Sequence, residues 1–440
     1  MKFETIKTII LTLLVACSMF LTWTIWTYKP SYESIKQDVT NTPISDPKKI
    51  PDLIKPSKIV LHQNDTHMGT VKDSEIDRVI HDIQGLHFFD IGSQRTLTET
   101  ELRYFIQENN HMEIDFPSRV PFEIYRGILQ FNKKHSSNVY FDKIVVDFAK
   151  GAQKEKNIYF IDTENRKLAA SSVSNNEIRS FLNKTKQKQS QYQPYELVEL
   201  GNNHYTYLPS SPTTMKNYEF TIDKHDLDIF KRILFSDPAS VQKSETNDKT
   251  EYVSITSLMK ADLKNYVFSF VNTSENSAYK SDPKALLKQS IEFVNEHGGW
   301  TDDYRYFSLN NNSHEVDFRL FKDGYPVFNS NDMAEIQQFW GEKDIQEYRR
   351  PFISLDALFD YSDETMKTGK QVLKDLLAIP HVQKNSIRDL ELGYQLTIVE
   401  TENSASNSDR LLNFKPTWYC LYDGTWSPVS EIGRGQNGME

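Results

Sequence analysis

The longest unbroken apolar stretch of the chain lies at its start. Between Thr8 and Tyr28 (TIILTLLVACSMFLTWTIWTY) no residue is charged. Wound as a helix, these 21 residues span roughly 32 Å, enough for a hydrocarbon core of about 30 Å. Lys2 and Lys7 flank its start, and Trp23, Trp26 and Tyr28 gather at its far end, as aromatics do at a membrane–water boundary. Pro30 stops it. The pattern predicts a cytoplasmic tail over 1–7 and a single transmembrane helix over 8–28. Lys2 and Lys7 balance Lys29 and Lys36, so the cytoplasmic N-terminus rests on the shortness of the tail and on the side that carries the aromatics. Leu14-Val15-Ala16-Cys17 spells a lipobox, but the apolar run continues for about ten residues past Cys17, where a lipoprotein turns polar. An uncleaved anchor is expected, with lipidation at Cys17 as the alternative. Both leave the bulk of the chain outside the cytoplasm.

Thr8, Thr12, Val15, Ala16, Met19 and Trp23 share one face of this helix. Small and hydroxylated residues let membrane helices approach closely, which makes this face the candidate partner contact. The competing reading is that the Thr hydroxyls bond their own i−4 carbonyls.

Beyond the anchor, residues 29–56 are rich in Pro, Lys, Asp and Ser and read as a stalk. Apolar periodicity then predicts alternating strands and helices. A first domain over 57–195 has a strand at Lys58–Leu61 and a helix capped by Ser74, with Ile76, Val79, Ile80, Ile83 and Leu86 as its stripe. Strands follow at Met112–Phe116, Lys143–Phe148 and Ile158–Ile161, with a hairpin turn at Asp162–Asn165. The polar run over 183–193 reads as a boundary. A second domain over 196–345 includes a helix N-capped by Asp282, with Pro283 at its first position and Gly298 as its stop. A third, over 346–440, begins with a helix predicted at Glu364–Leu377. It echoes the second: Lys284–Lys288 resembles Lys370–Lys374, and Asp323-Gly324 resembles Asp423-Gly424, with the polar stretch 401–409 as an insertion. The expected fold class is α+β, a multi-domain extracytoplasmic region of antiparallel sheets with packed helices.

Composition narrows the function. Apolar residues make up 38% of the 440, enough for real cores. The net charge of −10 disfavours general nucleic-acid binding. Two cysteines, Cys17 and Cys420, rule out a disulfide framework.

Catalytic motifs occur but fail on context. Gly433–Gly438 spells G-x-G-x-x-G with no helix after it to cradle a phosphate. Ser257–Lys260, Ser274–Asn276 and Lys367–Gly369 match the S-x-x-K, S-x-N and K-T-G set of acyl-serine wall enzymes in the right order. The first two lie too close together, and the third falls in a predicted helix where that chemistry needs a strand edge. His62 and His67 are five apart and His81 and His87 six, without a metal-ligand motif. Asp302-Asp303 and Asp356/Asp360 read as solvated acids. No catalytic residue, cofactor or metal is expected.

Two stretches carry a resemblance, FRLFKDGYPVF (Phe318–Phe328) and EYRRPFISL (Glu347–Leu355). With the layout of short basic start, one anchor, Pro-rich stalk and long body, they make the whole chain similar to the YycH (WalH) family. Gly324–Phe328 also resembles the companion family YycI. The resemblance implies a regulatory membrane protein, not an enzyme. Such a protein modulates the sensor histidine kinase WalK (YycG) of the cell-wall-controlling WalK/WalR system of Gram-positive bacteria, together with YycI and through transmembrane-helix contacts. A wall-binding or assembly module, lipid-anchored, is the first alternative, and an acyl-serine wall enzyme the second.

Overall fold

The computed structural model describes residues 2–27, 44–131, 139–149, 154–275, 282–400 and 410–432. Within 2–27, side chains are described only for Lys7, Leu11 and residues 13–23. Most of the expected stalk, the insertion 401–409 and Gly433–Gly438 lie outside the described residues. The chain divides into two compact units, residues 1–41 and 42–440.

The first unit is the helix Lys2–Thr27. Leu13, Leu14, Met19, Phe20 and Trp23 are exposed along it. Among the described residues, no helix is long and apolar enough to cross a membrane, and the expected span of 8–28 falls partly outside them.

The second unit is built on two large sheets. Nine strands pair in the order Tyr205–Pro209, Gln193–Glu199, Thr66–Thr70, Lys58–Gln63, His111–Pro121, Tyr140–Asp147, Glu155–Asp162, Lys167–Ser174 and Arg95–Thr96. Neighbours are antiparallel throughout. Strand alternation sorts the side chains between its faces. Ile59, Leu61, Met112, Ile114, Ile144 and Val146 go into the main core, with Ile76, Val79 and Ile83 of the helix Asp73–Gln84 and Ile178 and Phe181 of the helix Asn175–Gln187. The opposite face carries Val60 and Val145, which pack in two small clusters beneath Leu102 of the helix Glu99–Gln107. Thr98 caps that helix by accepting from the Glu101 amide, while Glu101 accepts from the Thr98 amide.

Some local expectations shift. The Asp73–Gln84 helix has Lys72, not Ser74, at its cap position and no side-chain cap; Asp73, its first residue, binds Arg305 at 2.6 Å. The polar run at 183–193 ends the Asn175–Gln187 helix and leads directly into the strand Gln193–Glu199, which pairs back onto Thr66–Thr70. Its polarity belongs to an exposed helix surface. The helix expected at Glu364–Leu377 divides, since the strand Ile353–Met366 runs through its first part and the helix begins at Gly369 under a Thr368 cap. Asp282 does cap its helix, accepting from the Lys284 amide.

The second sheet has fourteen strands and interleaves early and late chain. Thr213–Lys224 lies between Arg410–Tyr422 and Ile353–Met366, and Tyr325–Phe328 joins the two halves by pairing parallel to Ile387–Glu400. The duplicated grammar is visible as order. The helix Pro283–Glu296 leads to two strands and the Asp323-Gly324 hairpin, and the helix Gly369–Leu377 leads to two strands and the Asp423-Gly424 hairpin. All four turn residues have positive φ, from +48° to +82°, as a tight primed turn requires.

The sheets meet at that first hairpin. A Cβ on Gly324 would overlap the Val71 carbonyl oxygen, so the two backbones touch where a side chain would stand. Arg305, 2% exposed, reaches Asp73, and the Tyr306 hydroxyl donates to the Arg119 carbonyl at 2.6 Å. Gly424, at the same φ of +82°, has nothing within 4 Å of its missing Cβ. The two glycines therefore separate backbone strain from packing. Gly424→Ala should cost about 1 kcal/mol of unfolding free energy, the left-handed backbone penalty alone. Gly324→Ala should cost that plus about 1–3 kcal/mol for the displaced contact, measured by denaturant unfolding.

Candidate functional site

Between the sheets lies a cavity of about 550 Å³. That volume suits a small ligand. Charged groups line it from both sides: Lys58, Asp115, Asp142 and Lys143 from the nine-stranded sheet, Asp389 and Glu391 from the strand Ile387–Glu400. The placement follows from register. Lys58 pairs with Asp115, and Asp115 with Lys143, so the three stand side by side on one face. Lys143 Nζ lies 2.6 Å from Asp115 Oδ1, and Lys58 Nζ 3.6 Å from Asp115 Oδ2. Lys58 also donates to the Tyr207 carbonyl at 3.1 Å.

Enclosure sets the protonation of these groups. Burial pushes the Asp115 carboxyl up to about 6 against the pull of Lys58. It pushes Asp142 up to about 7, although Asp142 accepts from the Thr163 amide and hydroxyl. Glu391 rises to about 8, by burial first and then by the neighbouring Asp389. Lys143 is driven down by burial and then by Lys58. The cavity thus holds more acid than ordinary surface chemistry would leave un-ionised near neutrality.

Next to it, on the same sheet face, is a row of histidines. His62 pairs across the sheet with His67 on one side and His111 on the other. The His62 and His111 rings stack with centroids 4.2 Å apart, and Tyr207 leans over His62 at 4.6 Å. His62 Nδ1 and His67 Nδ1 are 2.7 Å apart. His62 Nε2 stands 3.3 Å from Glu113 Oε2, and Lys143 engages Glu113 Oε1. His62, His111 and Glu113 are all buried, and their ligand atoms lie within 4.8 Å of one another. Burial drives His62 down to about 3 and His111 to about 2. Neighbouring histidines and Lys143 add to both shifts, and the Glu108 backbone opposes that of His111. Both rings are neutral near pH 7. Each buried polar atom left unpaired costs about 1–3 kcal/mol.

The sequence motifs are placed as follows. Ser257 and Lys260 lie on the strand Ser257–Asp262, where residues three apart point to opposite faces, so the S-x-x-K pair is not assembled. Thr368 is a helix cap, and Asn276 lies outside the described residues. Asp302 and Asp303 part company: Asp302 accepts from the Leu355 amide, and Asp303 binds Arg305. Asp356 accepts from Thr221, and Asp360 from the Tyr361 amide. His87 pairs with Glu177 at 2.8 Å. Val15, Ala16, Met19 and Trp23 are exposed on the first helix, and the side chains of Thr8 and Thr12 lie outside the described residues. What sequence reasoning missed is the union of His62 with His111 and Glu113, 49 and 51 residues on. The available signal was partial alternation: HMEID places polar residues at every second position of an otherwise apolar strand, while KIVLH is polar only at its two ends, four residues apart.

Glu391 gives the cavity a testable pH dependence. Its folded pKa lies above the unfolded value of about 4.3, so its neutral form favours the folded state. That contribution is complete below the unfolded pKa and is lost as pH rises through about 8. Urea unfolding at pH 5, 6.5 and 8 should find Glu391→Gln close to the parent at pH 5 and more stable than it at pH 8. A constant offset between the two would remove the assignment.

Comparison with known proteins places the whole chain. The model of the YycH protein N-terminal domain matches residues 4–190, and that of the YycH protein C-terminal domain matches residues 203–435. The Two-component system WalR/WalK regulatory protein YycH of Bacillus subtilis (strain 168) is 26% identical over 98% of this chain and 97% of its own. The crystal structure of YycH from Bacillus subtilis superposes with a TM-score of 0.72 at 21% identity, covering 88% of this chain and 98% of that one. Matched by both domain models in their proper order, this chain belongs to the YycH family.

Proposed function

We infer that this chain is an accessory regulator of a WalK/WalR-type two-component system, a regulatory protein and not an enzyme. The observation that carries this is the correspondence over nearly the full length of a relative named as the regulatory protein of such a system. In this reading the protein is single-pass, with residues 1–7 in the cytoplasm, 8–28 in the cell membrane and the body outside. The YycI-type companion and the WalK (YycG) kinase are its partners.

The mechanism follows from the first helix. A membrane kinase has conformations close in free energy, and a partner shifts their balance only by packing better against one of them. The face of Thr8, Thr12, Val15, Ala16, Met19 and Trp23 offers small and hydroxylated positions for such packing. Interhelical contacts average about 0.6 kcal/mol, so a few of them give a several-fold change in the kinase equilibrium.

The test keeps the body constant. Ala16→Phe, and separately replacement of 8–28 by an unrelated spanning sequence, should each change the output of a response-regulator reporter several-fold at unchanged protein level by immunoblot. Unchanged output in both would remove the helix mechanism. Unchanged output on deleting the whole gene would remove the regulatory reading itself.

A further inference from the structure

We propose that His62, His111 and Glu113 form a three-ligand binding site for a divalent transition metal of the zinc class, with His67 as a positioning residue behind His62. Nothing in the regulatory reading requires this site, and its test is independent of that reading.

The donor set comes first. Two imidazoles and a carboxylate are a ligand set zinc takes when it keeps one further position open. All three residues sit on the adjacent strands Lys58–Gln63 and His111–Pro121, in the paired part of the nine-stranded sheet. They are 0%, 3% and 1% exposed. Rigid neighbouring strands hold ligands more closely than loops do.

Geometry comes next. Bonds of about 2.0 Å in a tetrahedron place neighbouring donor atoms about 3.3 Å apart. His62 Nε2 and Glu113 Oε2 stand 3.3 Å apart, and the donor atoms of the full set lie within 4.8 Å of one another.

The unpaired atoms point to the same place. Among the described residues, His62 Nε2, both ring nitrogens of His111 and Glu113 Oε2 are buried without a well-formed hydrogen bond, the Glu108 backbone alone interacting with the His111 ring. Lys143 takes the second oxygen of Glu113 and also Asp115 at 2.6 Å, which leaves Oε2 free.

His67 decides the tautomer. With His62 Nδ1 and His67 Nδ1 2.7 Å apart, one of them carries the proton. If His62 donates, its Nε2 lone pair faces Glu113 and is ready for a cation. If His67 donates, His62 Nε2 bears a proton aimed at a carboxylate with which it makes no hydrogen bond. Only the first arrangement makes use of Nε2. A ligand imidazole held through its other nitrogen is the usual supporting arrangement of metal sites.

The experiment uses the full chain in detergent, stripped with a chelator and then dialysed against Zn²⁺ or Co²⁺ alone. The parent should keep one metal per chain after desalting, and X-ray absorption should show a first shell of nitrogen and oxygen with imidazole scattering. His111→Gln and Glu113→Gln should lose the metal, and His67→Ala should weaken it by about 10–100-fold. His81→Ala, an exposed histidine on the Asp73–Gln84 helix, should keep it. A parent chain with a native circular dichroism spectrum and no retained metal overturns the proposal, as does a full equivalent held by His111→Gln. Where the variants fail to fold, the absorption shell of the parent decides, and a shell containing sulfur or lacking imidazole overturns it.

Discussion

The body depends on one close approach, the Asp323-Gly324 hairpin lying against the backbone of Val71. Only a residue without a Cβ allows the two sheets to touch there, and only a positive φ turns the hairpin so that it presents that point. Once the backbones meet, neighbouring long side chains bridge the seam. Arg305 lies 2.6 Å from Asp73, and Tyr306 bonds the Arg119 carbonyl. A buried guanidinium stripped of its carboxylate costs about 3–5 kcal/mol, so the seam resists opening once formed. The cavity is the space that remains beside it.

This explains why the family-like stretch FRLFKDGYPVF is structural. Its Arg319 is buried, bound to Glu335 at 2.6 Å and to the Val327 carbonyl, and sandwiched 4.3 Å from the Phe307 and Phe328 rings. Its Asp323 accepts from Tyr218 on the strand that crosses to the other half of the sheet. Its Phe328 stacks on Tyr419 at 4.0 Å. The second stretch behaves alike: Arg350, fully buried, donates to the Gly299 carbonyl and holds the loop after the Pro283–Glu296 helix. Both stretches hold the fold in place, and neither lines up a reacting group.

The legible part of this fold was local. The Asp282 cap, the stripe of Ile76, Val79 and Ile83, and the strands around Ile144 and Phe160 follow from periodicity and end chemistry, and those act within a few residues. The two Asp-Gly pairs stood out as a repeated element, and the structure makes each of them a hairpin. What was hidden depends on partners distant in sequence. The helix begins before Ser74 with no side-chain cap, and its first residue, Asp73, serves an arginine 232 residues away. The polar run 183–193 ends the Asn175–Gln187 helix, and the two family models part beside it, between residues 190 and 203. The cavity and the histidine row were invisible for a further reason. Each is assembled by register between strands, and register is a property of pairs. Alternation along HMEID puts His111 and Glu113 on one side, but nothing local said that side was covered.

A covered sheet face usually fills with apolar side chains, and buried ion pairs add little stability over a hydrophobic replacement of the same shape. Val60 and Val145 show that this face accepts such residues under the Glu99–Gln107 helix. The polar positions between them are therefore no by-product of a poor core. They form one continuous line, from the histidines through Glu113 to Asp115 and the cavity, and Lys143 stands at its middle. Its single ammonium contacts Glu113 on the histidine side and Asp115 on the cavity side. A charge added or removed at either carboxylate changes the field that holds Lys143, and so changes what the other carboxylate receives from it. The histidine row and the cavity are thus electrostatically one site, joined through one side chain.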